Sequence, residues 1–177
     1  MSDFSNPAGA AGAAAGSYVR SLLALLGDRP PLEVLGELAT WLPGRLRDVA
    51  PARLRQPEAP GKWSAVAVVV HLLDAEIEHG HRTRHIVGQD EPAVTGYDQD
   101  RWSREFAYEE ADLDVTLAAL LALRAANLRH WARLTPAQLE RAMLHDERGR
   151  ETAGHYLRLA AGHDLAHRRQ LDRILGA

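Results

Sequence analysis

Apolar residues recur at intervals of three and four along most of this chain, and those intervals set out its elements. Leu32, Leu35, Leu38, Leu42 and Leu46 form one series, which predicts a helix to about Val49, kinked at Pro43. Ser64 is a good N-cap and starts a second helix that runs to about Gly88. The β-branched run from Val66 to Val70 favours a strand locally, but Leu72, Leu73, Ile77 and Ile86 carry the helical spacing through it. Leu113, Leu117, Leu120, Leu121, Leu128 and Trp131 place a broad apolar face on a third helix, from about Ala111 to Leu134. Thr135-Pro136 ends it and opens a short helical segment. A fourth helix, capped by Thr152, reaches about Leu175.

The segments between these series are polar or broken by proline and glycine. "SYVRSLLALLG" predicts a short helix closed by Gly27 and the Arg29-Pro30-Pro31 break, and "APARLRQPEAPGK" reads as a connection. "GQDEPAVTGYDQDRWSREFAYEE" predicts a long connection with one helical turn around Asp98 to Arg104, and "HDERGRE" a turn. The expected architecture is all-α: a four-helix bundle with its longest connection crossing between the second and third helices. Residues 1–16 read as a flexible tail and 17–177 as one bundle domain. No repeat of 20 to 50 residues suggests a solenoid.

Composition narrows the chemistry. A formal charge of -3 gives no electrostatic footprint for nucleic acid or an anionic membrane, so neither is an expected partner. With no cysteine, any metal must rest on histidine and carboxylates, and no thiolate nucleophile is available from the chain. "MSDFSNPAGAAGAAAG" lacks the cationic and leucine-rich regions of a secretory signal. No apolar run approaches the roughly 18 residues of a membrane span. A soluble, cytoplasmic protein is expected.

The nine histidines carry the candidate chemistry. His163 and His167 are four apart in "AAGHDLAHRRQ" and so project from nearly one helix face, either as a chelating pair or as two polar residues sharing that face. His71 interrupts "AVAVVVHLL", where an imidazole either finds a hydrogen-bond partner in the core or serves as a third ligand. His81 and His85 make another pair of the same spacing, but among Arg82, Arg84 and Gly80, the context of a solvated face. Glu76 with His79 and Glu78 with His81 satisfy Glu-x-x-His, yet the fourth helix has no such motif, which argues against a ferritin-like di-iron site. Gln170, one turn beyond His167, is a candidate for orienting substrate or water. Asp74 and Asp164 are candidates for fixing an imidazole tautomer, and a plain polar role is open to all three.

"GKWSAVAVVVHLLDAE" and "GRETAGHYLRLAAGHDLAHRRQL" resemble the first and last motifs of the DinB/YfiT-like superfamily. Asp98, Trp102, the Leu-rich third helix and the turn from His145 to Gly149 lie between them in the family's order. The resemblance covers about residues 20 to 175. It implies a four-helix bundle in which His71, His163 and His167 bind a divalent metal ion. The turn often written His-Pro-Glu-x-Gly is His145-Asp146-Glu147-Arg148-Gly149 here, and without the proline a role for His145 is in question.

Three neutral imidazoles leave the ion's charge uncompensated and a position open, the arrangement of a catalytic site. Imidazole suits Zn, Ni, Fe and Cu, and cellular availability often decides among them; the expected ion is Zn, Ni or Fe, its identity open. Relatives in the resembled family include thiol-dependent transferases and a mycothiol-dependent maleylpyruvate isomerase. The resemblance therefore implies a transferase that adds a low-molecular-weight thiol to a small-molecule electrophile in detoxification or stress response. The alternative is a non-catalytic, stress-associated metal-binding bundle. A homodimer is compatible with either.

Overall fold

The computed structural model describes residues 13–176, so most of the segment expected to be a flexible tail lies outside them. The helices of the bundle are α1 (Ala13–Leu26), α2 (Pro31–Leu46), the one-turn α3 (Pro51–Leu54) and α4 (Ala65–Gly88). The crossover follows, with strand β1 (Ala93–Val94), α5 (Gln99–Glu105) and a 3-10 turn at Tyr108–Glu110. Then come α6 (Leu113–Trp131), α7 (Pro136–Leu139), strands β2 (Ala142–His145) and β3 (Gly149–Thr152), and α8 (Ala153–Leu175).

The four long helices form the expected bundle. α2 packs on α6 and α8, and α4 packs on the same two, so α2 and α4 stand at opposite corners. α1 lies along α8. It comes very close, because a Cβ on Gly162 would collide with the Leu22 carbonyl. Leu38, Leu42, Val68, Val69, Leu72, Leu120, Leu171 and Ile174 fill the central core. Each such side chain contributes roughly 1.5–3 kcal/mol by leaving water.

The caps explain where α4 and α8 begin. The Ser64 hydroxyl accepts from Ala67 N and Thr152 does the same for His155 N, satisfying backbone donors that a helix start leaves open. Ser64 also donates to Glu109 through both its backbone N–H and its hydroxyl, which ties the start of α4 to the 3-10 turn. α2 runs through Pro43 to Leu46.

One expectation needs correcting. "HDERGRE" is part of a β-hairpin, with β2 antiparallel to β3 (Met143 opposite Glu151) and β1 added parallel to β2 (Ala93 opposite Leu144). The strands are too short to announce themselves, and β1 exists only through its long-range pairing with β2. The sheet folds the crossover back onto the C-terminal end of α4, while the bundle remains the fold. Among the described residues no helix is long and apolar enough to cross a membrane.

Candidate metal centre

His71 comes from the second turn of α4; His163 and His167 come from consecutive turns in the middle of α8. Because α4 and α8 are neighbours, the three rings meet inside the bundle. His71 is wholly buried and His167 nearly so, at 0% and 4% exposure. Nε2 of His163 lies 3.1 Å from Nε2 of His71 and 3.1 Å from Nε2 of His167. One potential ligand atom from each residue lies within 4.8 Å of the others. The Trp63 ring, 5.0 Å from that of His71, covers one side.

This geometry fits a divalent ion. Three nitrogens arranged tetrahedrally at ~2.0–2.1 Å from one centre stand about 3.3 Å apart, close to the observed separations. Each N···N contact can hold at most one proton, so the converging lone pairs have no complete hydrogen-bonding solution among themselves. Burial keeps all three rings neutral, the form that ligates. It lowers the pKa of His163 to about 4, with help from Arg124, and that of His167 to about 3, with help from His163. His71 is driven well below the usual histidine range by burial and then by its two partners.

Gln170 stands behind the site. Its Oε1 is 2.7 Å from Nδ1 of His167, so Nδ1–H donates to the amide and Nε2 keeps its lone pair for the centre. The Nδ1 atoms of His71 and His163 are buried without a hydrogen-bond partner among the described residues. The two aspartates considered for that task are engaged elsewhere. Asp74 accepts the Tyr108 hydroxyl. Asp164 is gripped by Arg124, at 2.6 Å from Nη1 and 3.2 Å from Nη2.

That arginine is a feature the sequence reading missed. Arg124 is 1% exposed. It also donates to Glu76 at 2.6 Å and to the Leu35 carbonyl at 2.8 Å, so one guanidinium joins α2, α4, α6 and α8. The signal was a lone charge in "LAALLALRAANL". A second omission is the contact between His79 Nδ1 and the Tyr156 hydroxyl, at 2.8 Å. The His79 ring stands edge-on to His163, centroids 5.8 Å apart. Tyr156, seven residues before His163, continues the face of α8 that carries the ligand candidates, whereas His79, eight residues after His71, is rotated about 80° from that residue on α4.

The remaining histidines lie apart. His145 forms a group with Asp146 and Glu147 at the hairpin turn, but its Nδ1 already accepts the Glu147 N–H at 3.2 Å. His81 is exposed and His85 half-buried on the outer face of α4.

A helical bundle with an inward-facing histidine triad is the class these observations define. The family profile of the DinB superfamily matches residues 38–171, and the chain belongs to that superfamily. YfiT of Bacillus subtilis is 28% identical over 149 residues, 82% of this chain and 84% of its own length. A Bacillus mycoides protein is 24% identical over 136 residues, 77% of this chain and 78% of its own. Both carry the name of a candidate metal-dependent hydrolase. The solved structure of YfiT, described as that of a "probable metal-dependent hydrolase with an unusual four-helix bundle topology", superposes with a TM-score of 0.74. That match has 27% identity and covers 82% of this chain and 86% of that one.

Proposed function

We propose that this chain is a metal-dependent enzyme in which His71, His163 and His167 hold a divalent ion, and that its reaction joins a low-molecular-weight thiol to a small electrophile. The observation that carries the reading is the convergence of three neutral imidazole nitrogens, with no carboxylate among them, inside the bundle. A Zn, Ni or Fe ion held there would keep an open position and lower the pKa of a thiol or water entering it, supplying a nucleophile at neutral pH. The chain has no cysteine, so the thiol arrives as a cosubstrate.

The protein's own groups divide the remaining work. His71 and the α8 pair supply the ligand atoms, and Gln170 is a positioning residue that fixes the His167 tautomer. Trp63 screens the His71 side from water. The Tyr156 hydroxyl is hydrogen-bonded to His79 Nδ1 beside the His163 ring, and helps to fix the wall of the site on that side.

The names of the Bacillus relatives favour a second reading, in which water is the nucleophile and the reaction is hydrolysis. Titrating the cobalt(II)-substituted protein with several small thiols separates the two. The thiol reading expects the visible bands to shift and saturate. Bands indifferent to every thiol contradict it. If the same protein then cleaves activated esters and His163→Gln abolishes that cleavage, water is the nucleophile.

A further inference from the structure

His81 and His85 repeat, on the outside of α4, the arrangement that α8 presents on the inside. Their ring centroids are 4.2 Å apart with an interplanar angle of 59°; for His163 and His167 the values are 4.3 Å and 62°. The i, i+4 backbone spacing therefore brings both pairs to the same mutual disposition. Unlike the buried pair, neither the His81 ring nor the His85 ring makes a hydrogen bond to a described residue, so their nitrogens face no competing protein partner. We propose that His81 and His85 form a second metal site, a solvent-accessible chelate for a borderline divalent cation of the Zn, Ni or Cu class.

Three features of the surroundings support it. The two histidines line a cavity of about 680 Å³ between α4 and the crossover, where Glu78 is held by Arg82 and Asp98 caps α5. Glu105 lines the same cavity, is exposed, and makes no ion pair or side-chain hydrogen bond among the described residues. His85 sits in the last turn of α4, where the partial negative charge of the helix C-terminus favours a bound cation.

The nearby positive charges are mostly committed elsewhere. Arg82 is paired with Glu78 at 2.9 Å and donates to the Thr95 carbonyl at 2.9 Å. Arg84 donates to Gly80 O and to Asn127. Arg101 alone faces the cavity without such a partner, and opposes a cation there. Two imidazoles are borderline nitrogen donors, at which Cu(II) should bind more tightly than Ni(II) or Zn(II), following the usual order of affinities. Mg or Ca would not select such a site.

The experiment is a Zn(II) titration of the untagged full-length protein by calorimetry and equilibrium dialysis, with His81→Gln, His85→Gln and His163→Gln variants alongside. Circular dichroism shows that each is folded. The proposal expects a weaker class of sites that either outer substitution reduces by at least the roughly 10- to 100-fold that loss of even a supporting contact costs. His163→Gln leaves that class intact. As a second readout, untagged protein should be retained on Cu(II)-charged resin and lose retention in His81→Gln/His85→Gln. Titrations and retention unchanged by the outer substitutions overturn the second site, whatever happens at the buried triad. Loss of binding only in His163→Gln does the same while leaving the buried centre standing.

Discussion

The amide oxygen of Gln170 takes the Nδ1 proton of His167 at 2.7 Å, and so decides which nitrogen that ring turns to the bundle interior. Leucine in its place keeps much of the volume but removes the acceptor. Gln170→Leu should therefore weaken metal binding by about 10- to 100-fold, the usual cost of losing such a support, while Gln170→Glu should retain it. Competition against a chromophoric chelator measures this. Equal affinity for the wild type and Gln170→Leu would show that the tautomer is set by something else. The same scale separates residues that spacing alone could not. Asp74 and Asp164 stood as near to the triad in sequence as Gln170, yet one accepts Tyr108 and the other Arg124. Only the partners supplied by other helices made the choice.

At the level of elements, the alignment of α4 against α8 brings His71 opposite His163 and His167, and Arg124 is the tie that holds it. Its guanidinium meets Glu76 of α4 and Asp164 of α8 with all three side chains at most 1% exposed. Removing one partner of a buried ionic group leaves uncompensated charge and typically costs ~3–5 kcal/mol. Arg124→Leu should lower unfolding stability by about that much in urea denaturation. The triple change Arg124→Leu/Glu76→Leu/Asp164→Leu should recover a good part of it. A single substitution that leaves the urea midpoint unmoved would refute the role. The helices themselves were legible in advance. Ser64 and Thr152 marked the starts of α4 and α8, and the leucine spacing carried α2 and α6. The sheet was not, because β1 has two residues and β2 and β3 four each, with no alternation long enough to register. β1 also pairs with a strand about 50 residues further along the chain (Ala93 opposite Leu144), so a local pattern could not reveal it. Arg124 was illegible for a related reason: its counter-charges lie on two other helices.

For the whole molecule, membership of the DinB superfamily and the bundle agree with what the motif order implied. The histidine convergence gives that agreement chemical content. His71 is far along the chain from His163 and His167, and their meeting depends on α4 and α8 being neighbours in the bundle. His-x-x-x-His spacing could suggest the α8 pair, but the pairing of those two helices is a property of the complete fold. The outer pair His81 and His85 has the same local geometry without that enclosure. The two sites should therefore differ in affinity and in access, not in ring arrangement.

The central claim is that the buried triad holds a divalent metal ion, and metal analysis tests it most directly. Protein purified without a histidine tag, dialysed against a weak chelator to clear loosely held ions, should retain about one divalent ion per chain. His71→Gln, His163→Gln and His167→Gln should each reduce that content to near zero while remaining helical. Folded wild-type protein that retains no metal after reloading, or full occupancy in His163→Gln, would contradict the account.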